Sequence, residues 1–332
     1  GFQNRADYKA VSTGVQYQED DPQFFQFYEL WSYTTHAWNF DNDLISRGYN
    51  AGGYFQFQNL WSFNVNSNAN FDTISDRITR GGPTYDMPGS VNYNFNINSN
   101  RSKELSGGTG QFHRTDRVGE FDHYYWFDIS YRPTTFIQIT LAPEVGIQRD
   151  VDQYVTTRER SIAAQDANLT YGNRYIFSDI KMTDISAQIR LNWTFNTKMS
   201  LQTYLRPYIA TGKYSNLKEF NNPGGFGFDI YGEDKGTITE NANGSQTVDP
   251  DGAGGEDTFD IAPLDFNVKS LQGNAVFRWE YRPGSTLFLV WQQQRDGFSR
   301  DGEFAFNRDV KGLFNPTPTN VFLVKLSYWF GN

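Results

Sequence analysis

The last stretch of the chain, residues 320–332, admits few folds. From Phe322 onward every second residue is apolar (Phe322, Val324, Leu326, Tyr328, Phe330), while Lys325 and Ser327 fall between them. A period of two is the mark of a β-strand with one greasy face. About ten such residues let a tilted strand cross the hydrocarbon layer of a bilayer. A strand that ends the chain on aromatics has the look of the closing strand of an outer-membrane barrel.

The same alternation recurs upstream. Val91, Tyr93, Phe95 and Ile97 face one way, with Asn92, Asn94, Asn96 and Asn98 the other. Ile185, Ala187, Ile189, Leu191, Trp193 and Phe195 oppose Asp184, Ser186, Gln188, Arg190, Asn192 and Thr194. Leu271, Gly273, Ala275, Phe277, Trp279 and Tyr281 oppose Gln272, Asn274, Val276, Arg278 and Glu280. An asparagine ladder or an arginine row in a dry sandwich core would cost several kcal/mol per unpaired group, whereas a wet lumen tolerates both.

Alternation places thirteen strands at 7–18, 24–40, 47–58, 61–75, 90–99, 103–114, 121–131, 135–148, 182–195, 199–213, 265–281, 286–298 and 319–330. Short turns (20–23, 59–60, 100–102, 132–134, 196–198, 282–285) contrast with long connections at 149–181, 214–264 and 299–318. That asymmetry puts the tight turns, and the C-terminus, on the periplasmic side. Tyr131, Trp193, Phe195, Trp279, Tyr281, Tyr328 and Phe330 crowd the same end, as an interfacial girdle requires. The expected fold class is all-β: an antiparallel up-and-down transmembrane β-barrel forming one domain over 1–332, with about 13 strands here and 14 or more in the complete barrel.

One turn leaves a face open. If Pro283-Gly284 is a two-residue turn, Phe288 and Val290 point to lipid; with one residue more, Leu287, Leu289 and Trp291 do. Strand parity raises a second question. Counting back from a periplasmic C-terminus, the first of thirteen strands also runs toward the periplasm, and closed single-chain bacterial barrels have an even number. The expectation is that Gly1 lies on the outer side, that 7–18 and 319–330 do not pair, and that upstream chain or a partner bridges them.

Composition agrees. Aromatics reach 17% although hydrophobic residues reach only 38%, and mean hydropathy is −0.65, as half-greasy strands give. No run of 18 apolar residues exists, so no helix crosses a membrane. There is no cysteine, hence no disulfide, thiolate metal site or cysteine nucleophile. A net charge of −9 argues against a nucleic-acid partner. The opening residues have neither the basic start nor the apolar core of a signal peptide, so an envelope protein of this kind is expected to be processed or part of a longer precursor.

Several phrases carry a resemblance: Gly1-Phe2 followed by Arg5-Ala6-Asp7-Tyr8, Arg80-Gly81-Gly82-Pro83, Arg190-Leu191-Asn192-Trp193, and, most specific, the run from Arg278 to Phe288. They resemble a family of Gram-negative envelope proteins in which a carbohydrate-binding-module-like β-sandwich precedes an outer-membrane barrel of unassigned function. The resemblance covers essentially the whole chain and implies an outer-membrane barrel with a link to glycans. It offers no catalytic residues to carry over. This sequence departs from the pattern by lacking the sandwich and the first barrel strands.

The candidate lumen-lining residues are Arg190, Arg206, Arg278, Glu280, Gln188, Trp126 and Tyr204. The charged four, at one level, suit a selectivity ring or ligand clamp, or a salt-bridged network that stiffens the wall. Trp126 and Tyr204 suit sugar stacking or simple packing. Asp249, Asp251 and Glu256, on a glycine-rich loop, are oxygen ligands of the kind calcium takes, though without the twelve-residue helix–loop–helix spacing. The competing reading is a solvated acidic loop, because 215–264 holds ten acids against Lys218 and Lys235. His36, His113 and His123 show no metal spacing, Gly81-Gly82-Pro83 reads as a turn, and no nucleophile motif stands out.

The function expected is non-enzymatic: a channel, uptake component or scaffold of an envelope complex in the outer membrane of a Gram-negative bacterium. Its partners would be the bilayer and outer-membrane lipid, a glycan ligand and an envelope protein, with no cofactor other than loop calcium. The alternatives are a soluble or surface glycan-binding β protein, whose apolar rows would need a second sheet, and an outer-membrane hydrolase with scattered catalytic residues.

Overall fold

The computed structural model describes residues 5–160 and 167–331. The strands are β1 (Lys9–Asp20), β2 (Phe25–Trp38), β3 (Leu44–Phe57), β4 (Ser62–Asn70), β5 (Thr73–Ser75), β6 (Tyr85–Met87), β7 (Ser90–Asn98), β8 (Leu105–Asp116), β9 (Phe121–Thr134) and β10 (Ile137–Glu159). After helix α1 (Ala167–Thr170) come β11 (Asn173–Asn196), β12 (Met199–Phe220), β13 (Phe228–Ile230), β14 (Thr237–Glu240), β15 (Gln246–Asp249), β16 (Phe259–Ile261), β17 (Phe266–Arg282) and β18 (Ser285–Ser299), then helix α2 (Phe306–Gly312) and β19 (Thr319–Ser327).

One antiparallel up-and-down sheet dominates, in the order β1-β2-β3-β4-β7-β8-β9-β10-β11-β12-β17-β18-β19. These thirteen are the strands read from alternation; β13 adds a fourteenth member beside β12. The sheet is not closed. Among the described residues β1 pairs only with β2 and β19 only with β18, and the expectation about Gly1 falls outside the described residues.

The sheet bends, because its loops meet across several strands. The 71–89 segment, which joins β4 to β7, is held at one end by Arg5, whose guanidinium binds Asp76 with Nη1 to Oδ1 at 2.8 Å. At the other end Tyr85 donates to Asp152 of β10 at 2.8 Å and packs, tilted, against Phe220 of β12 with ring centroids 5.5 Å apart. A Cβ on Gly82 would stand 2.3 Å from the Tyr175 ring. This segment therefore lies across the long-connection end of the sheet, and Gly81-Gly82-Pro83, read as a turn, is also a close-packed crossing point.

Two long connections are corrected. Region 149–181 is largely strand: β10 continues to Glu159 and β11 begins at Asn173, so Tyr175, Ile176 and Phe177 extend a ribbon beyond the main wall. Region 214–264 is not simply a solvated acidic loop. β14, β15 and β16 form a small sheet whose Val248 and Ile261 pack with Ile176, Leu217 and Tyr231. Phe177, the neighbour of Ile176, belongs to a second cluster with Tyr85, Tyr175 and Phe220. Consecutive residues entering different clusters mean that both faces of the ribbon are covered.

The turn at Pro283-Gly284 resolves through a bulge. Arg282 pairs with Ser285, as a two-residue turn requires, and Gly284 supplies the positive φ of 74°. The register then slips so that Trp279 faces Leu287. Leu287, Leu289 and Trp291 thus share the face of Phe277 and Trp279. The β9–β10 turn also moves: β9 runs through Arg132-Pro133-Thr134, and residues 135–136 make the connection.

Candidate functional site

The sheet has two chemically distinct faces. On one, rungs of hydrogen-bonded neighbours are apolar: Ile129–Leu141–Ile189–Leu205 across β9 to β12, and Leu201–Phe277–Leu289–Val324 across β12 to β19. These side chains are exposed, Ile129 by 51% and Val324 by 69%. The girdle residues Tyr131, Trp193, Trp279, Tyr281, Tyr328 and Phe330 gather near the short turns, with Trp193 against Phe195 at 4.4 Å and Tyr328 against Phe330 at 4.6 Å.

The other face is polar. One rung reads Trp31, Gly52, Asn66, Asn94, Phe112, Tyr124, Gly146, Asp184. Its amides are joined: Trp31 Nε1 donates to Asn50 Oδ1 at 2.9 Å, Asn50 Nδ2 to Asn66 Oδ1 at 2.9 Å, and Asn68 Nδ2 to Asn92 Oδ1 at 2.8 Å. Trp126 lies one step toward the short turns, opposite Gly110 on one side and Glu144 on the other.

The lumen candidates all fall on this face but do not form a ring. Arg206 follows from the pairing of Ile189 with Leu205 as the neighbour of Gln188, and it pairs with Gln272. Arg190 is opposite Tyr204 and stacks on its ring at 5.0 Å, while donating to Gln188 at 3.1 Å. Arg278 is opposite Ser200, four residues along β12 from Tyr204. Of the four charged residues, only Arg278 and Glu280 pair, at 3.2 Å, among the described residues. The common level expected from strand counting is thus a stepped series of separate contacts.

The long-connection end of the sheet carries a carboxylate cluster that sequence reading did not single out. Glu120, in the β8–β9 turn, accepts from Arg114 at 3.0 Å and from the Val151 amide at 3.4 Å. Asp116 Oδ1 accepts the amides of Val118 and Glu120 at 3.0 and 2.9 Å, and its buried Oδ2 lies 3.8 Å from Arg114. Burial, then the charge of Asp152 and the hydrogen bond to Asp116, push the Glu120 carboxyl up to about 8, against the pull of Arg114.

A second buried charge sits in the ribbon. Glu219, whose side chain is 1% exposed, meets Arg174, Arg160 at 2.9 Å and Lys235 at 3.2 Å, and accepts from Tyr231 at 2.7 Å. Burial alone would raise its pKa; Arg174 and Lys235 reverse that and hold it below the ordinary value.

In the calcium candidate, Asp249 Oδ1 accepts the Gly252 amide at 2.9 Å, Asp251 Oδ2 accepts the Glu256 amide at 3.1 Å, and Glu256 pairs with Arg174 at 2.9 Å. One oxygen of each carboxylate is thus engaged by a loop amide or by Arg174, and no group of three potential ligands converges among the described residues. Sequence spacing also concealed a histidine pair. His113 and His123 face each other across β8 and β9 with Nδ1 atoms 2.9 Å apart, which counting back from the Arg117–Glu120 turn could have found.

A family model described as a domain of unknown function (DUF5916) matches residues 1–331. No curated protein matches the chain.

Proposed function

Because the chain belongs to the family described as a domain of unknown function (DUF5916), no activity comes to it by descent, and we propose from its two faces that it is the wall of an outer-membrane β-barrel in a Gram-negative bacterium. Its polar interior would admit or carry polar solutes as a channel or uptake component. The observation that carries this reading is the largely exposed apolar face opposite an amide-rich one, from Leu30 and Val65 at one end to Leu289 and Val324 at the other. A water-exposed apolar area of that extent is rare on a soluble monomer, and polar-in, apolar-out is what a bilayer-spanning wall needs.

The phrases that resemble Gram-negative envelope barrels support the same reading. The 71–89 segment, held at Arg5 and at Asp152, favours a constricted uptake barrel over a wide pore. The test is fractionation with and without boiling. The expected result is recovery in the outer membrane, heat-modifiable migration on gels, and insertion into lipid nanodiscs. A monodisperse soluble protein that ignores bilayers would replace this reading with the soluble alternative.

A further inference from the structure

We propose that the polar wall holds a stacking site for a neutral oligosaccharide, with Trp31 and Trp126 as its platforms. The inference deepens the barrel reading and rests on it for the direction in which this face points.

Both tryptophans lie flat on a glycine of the neighbouring strand. Trp31 is paired with Gly52 and Trp126 with Gly110. A Cβ on Gly52 would be 2.5 Å from Trp31 Cζ2 and 2.6 Å from Cε2; on Gly110 it would be 2.2 and 2.4 Å from the same atoms of Trp126. The two indoles are therefore laid down in the same way, and any side chain beneath either would lift it from the wall. Tyr33 repeats the arrangement over Gly14, where a Cβ would stand 2.1 Å from its ring. A ring lying against the backbone keeps its other face toward the interior, and both tryptophans are only half buried. A ring packed edge-on between neighbours would offer no such face.

Between the platforms the wall is amide-rich. Asn50, Asn66, Asn68, Asn92, Asn94 and Asn96 occupy it, and Asn94 Oδ1 has no partner among the described residues. Planar amides donate and accept side by side, which matches neighbouring hydroxyls on a sugar ring. The cation of this stretch, Arg114 opposite Asn92, is held by Glu120 at 3.0 Å, which leaves an anionic ligand little to bind, and an apolar one would strip the amides of hydrogen bonds. Five strand spacings separate β2 from β9, about 24 Å along the wall, so the ligand is a chain of several rings rather than a monosaccharide. Covering a strand glycine with an aromatic also repairs packing. That alone does not account for two indoles over two glycines flanking a field of amides.

The test is calorimetric titration of the intact protein, kept in a non-sugar detergent, with maltohexaose, cellohexaose and, as an anionic control, an oligogalacturonate. Saturable binding of at least one neutral hexasaccharide is expected, weakened about tenfold or more, or about 1.4 kcal/mol, by Trp126→Leu or Trp31→Leu. Trp126→Phe should restore much of it. No saturable neutral binding, equal affinity in the leucine variants, or preference for the anionic control would overturn the proposal. Heat-modifiable migration of the same samples separates the two readings: insertion without sugar binding removes only this proposal, and sugar binding without insertion removes only the barrel.

Discussion

The Tyr85 hydroxyl donates to Asp152 across 2.8 Å, tying a segment that leaves β4 to a strand three places beyond β7. Tyr85→Phe removes this bond from a fully buried site and should loosen the segment by about 1–3 kcal/mol. Tyr85→Ala should cost more, about 3–5 kcal/mol, by emptying the space against Phe220 and Phe226. Limited proteolysis within 71–89 should speed up in that order; equal rates would show that the tie does not hold the segment.

Substitutions on the two faces should diverge. Leu326→Arg and Ile189→Arg, on the apolar face, should impair assembly by roughly 2–4 kcal/mol, the cost of arginine near the middle of a bilayer. Ser327→Arg and Gln188→Arg, one residue away on the polar face, should be tolerated better. The readout is the fraction of heat-modifiable protein in the outer membrane, and equal damage at both pairs of positions would mean that the faces are misassigned.

The β8–β9 turn should weaken in alkali. With Glu120 at about 8 when folded, above its ordinary 4.5, the protonated form is favoured by folding. Its contribution is complete below about 4.5 and is lost as pH rises through about 8. Asp116, Asp152 and Arg114 are the charged groups around it. Hydrogen exchange in the β8–β9 turn should accelerate between pH 6 and pH 9 more than intrinsic chemistry requires, and Glu120→Gln should flatten that excess.

Loop 249–257 should be indifferent to calcium, because its amides and Arg174 already engage the three carboxylates. Protease cleavage there should be the same with chelator as with added calcium. Protection by calcium that Asp249→Asn abolishes would restore the metal-site reading.

Much of the wall was legible because a period of two survives wherever one face is apolar and the other polar. That is true of Val91–Asn98 and of Ile185–Phe195, and all thirteen strands follow from it. It fails above the wall. Tyr175, Ile176 and Phe177 are buried on both faces, so their apolar run has no alternation, and Glu219 reads as one more loop acid although Arg174 and Tyr231 enclose it. The β17–β18 register depended on a bulge between Glu280 and Arg282, which leaves no trace in composition. Of the site, Trp126 was visible as a polar-face aromatic. Its pose over Gly110 was not, since only strand pairing brings positions 110 and 126 together.

The free edges of β1 and β19 point the same way, from the long-connection end to the short-turn end. Two copies standing upright in one leaflet-oriented array share that sense, so an edge of one can meet an edge of its neighbour only as a parallel ladder. The antiparallel pattern of the wall cannot continue through such contact. Such a parallel ladder is slightly weaker per residue than the antiparallel pairs within the sheet, so a strand that docks antiparallel on either edge must ascend where both edges descend.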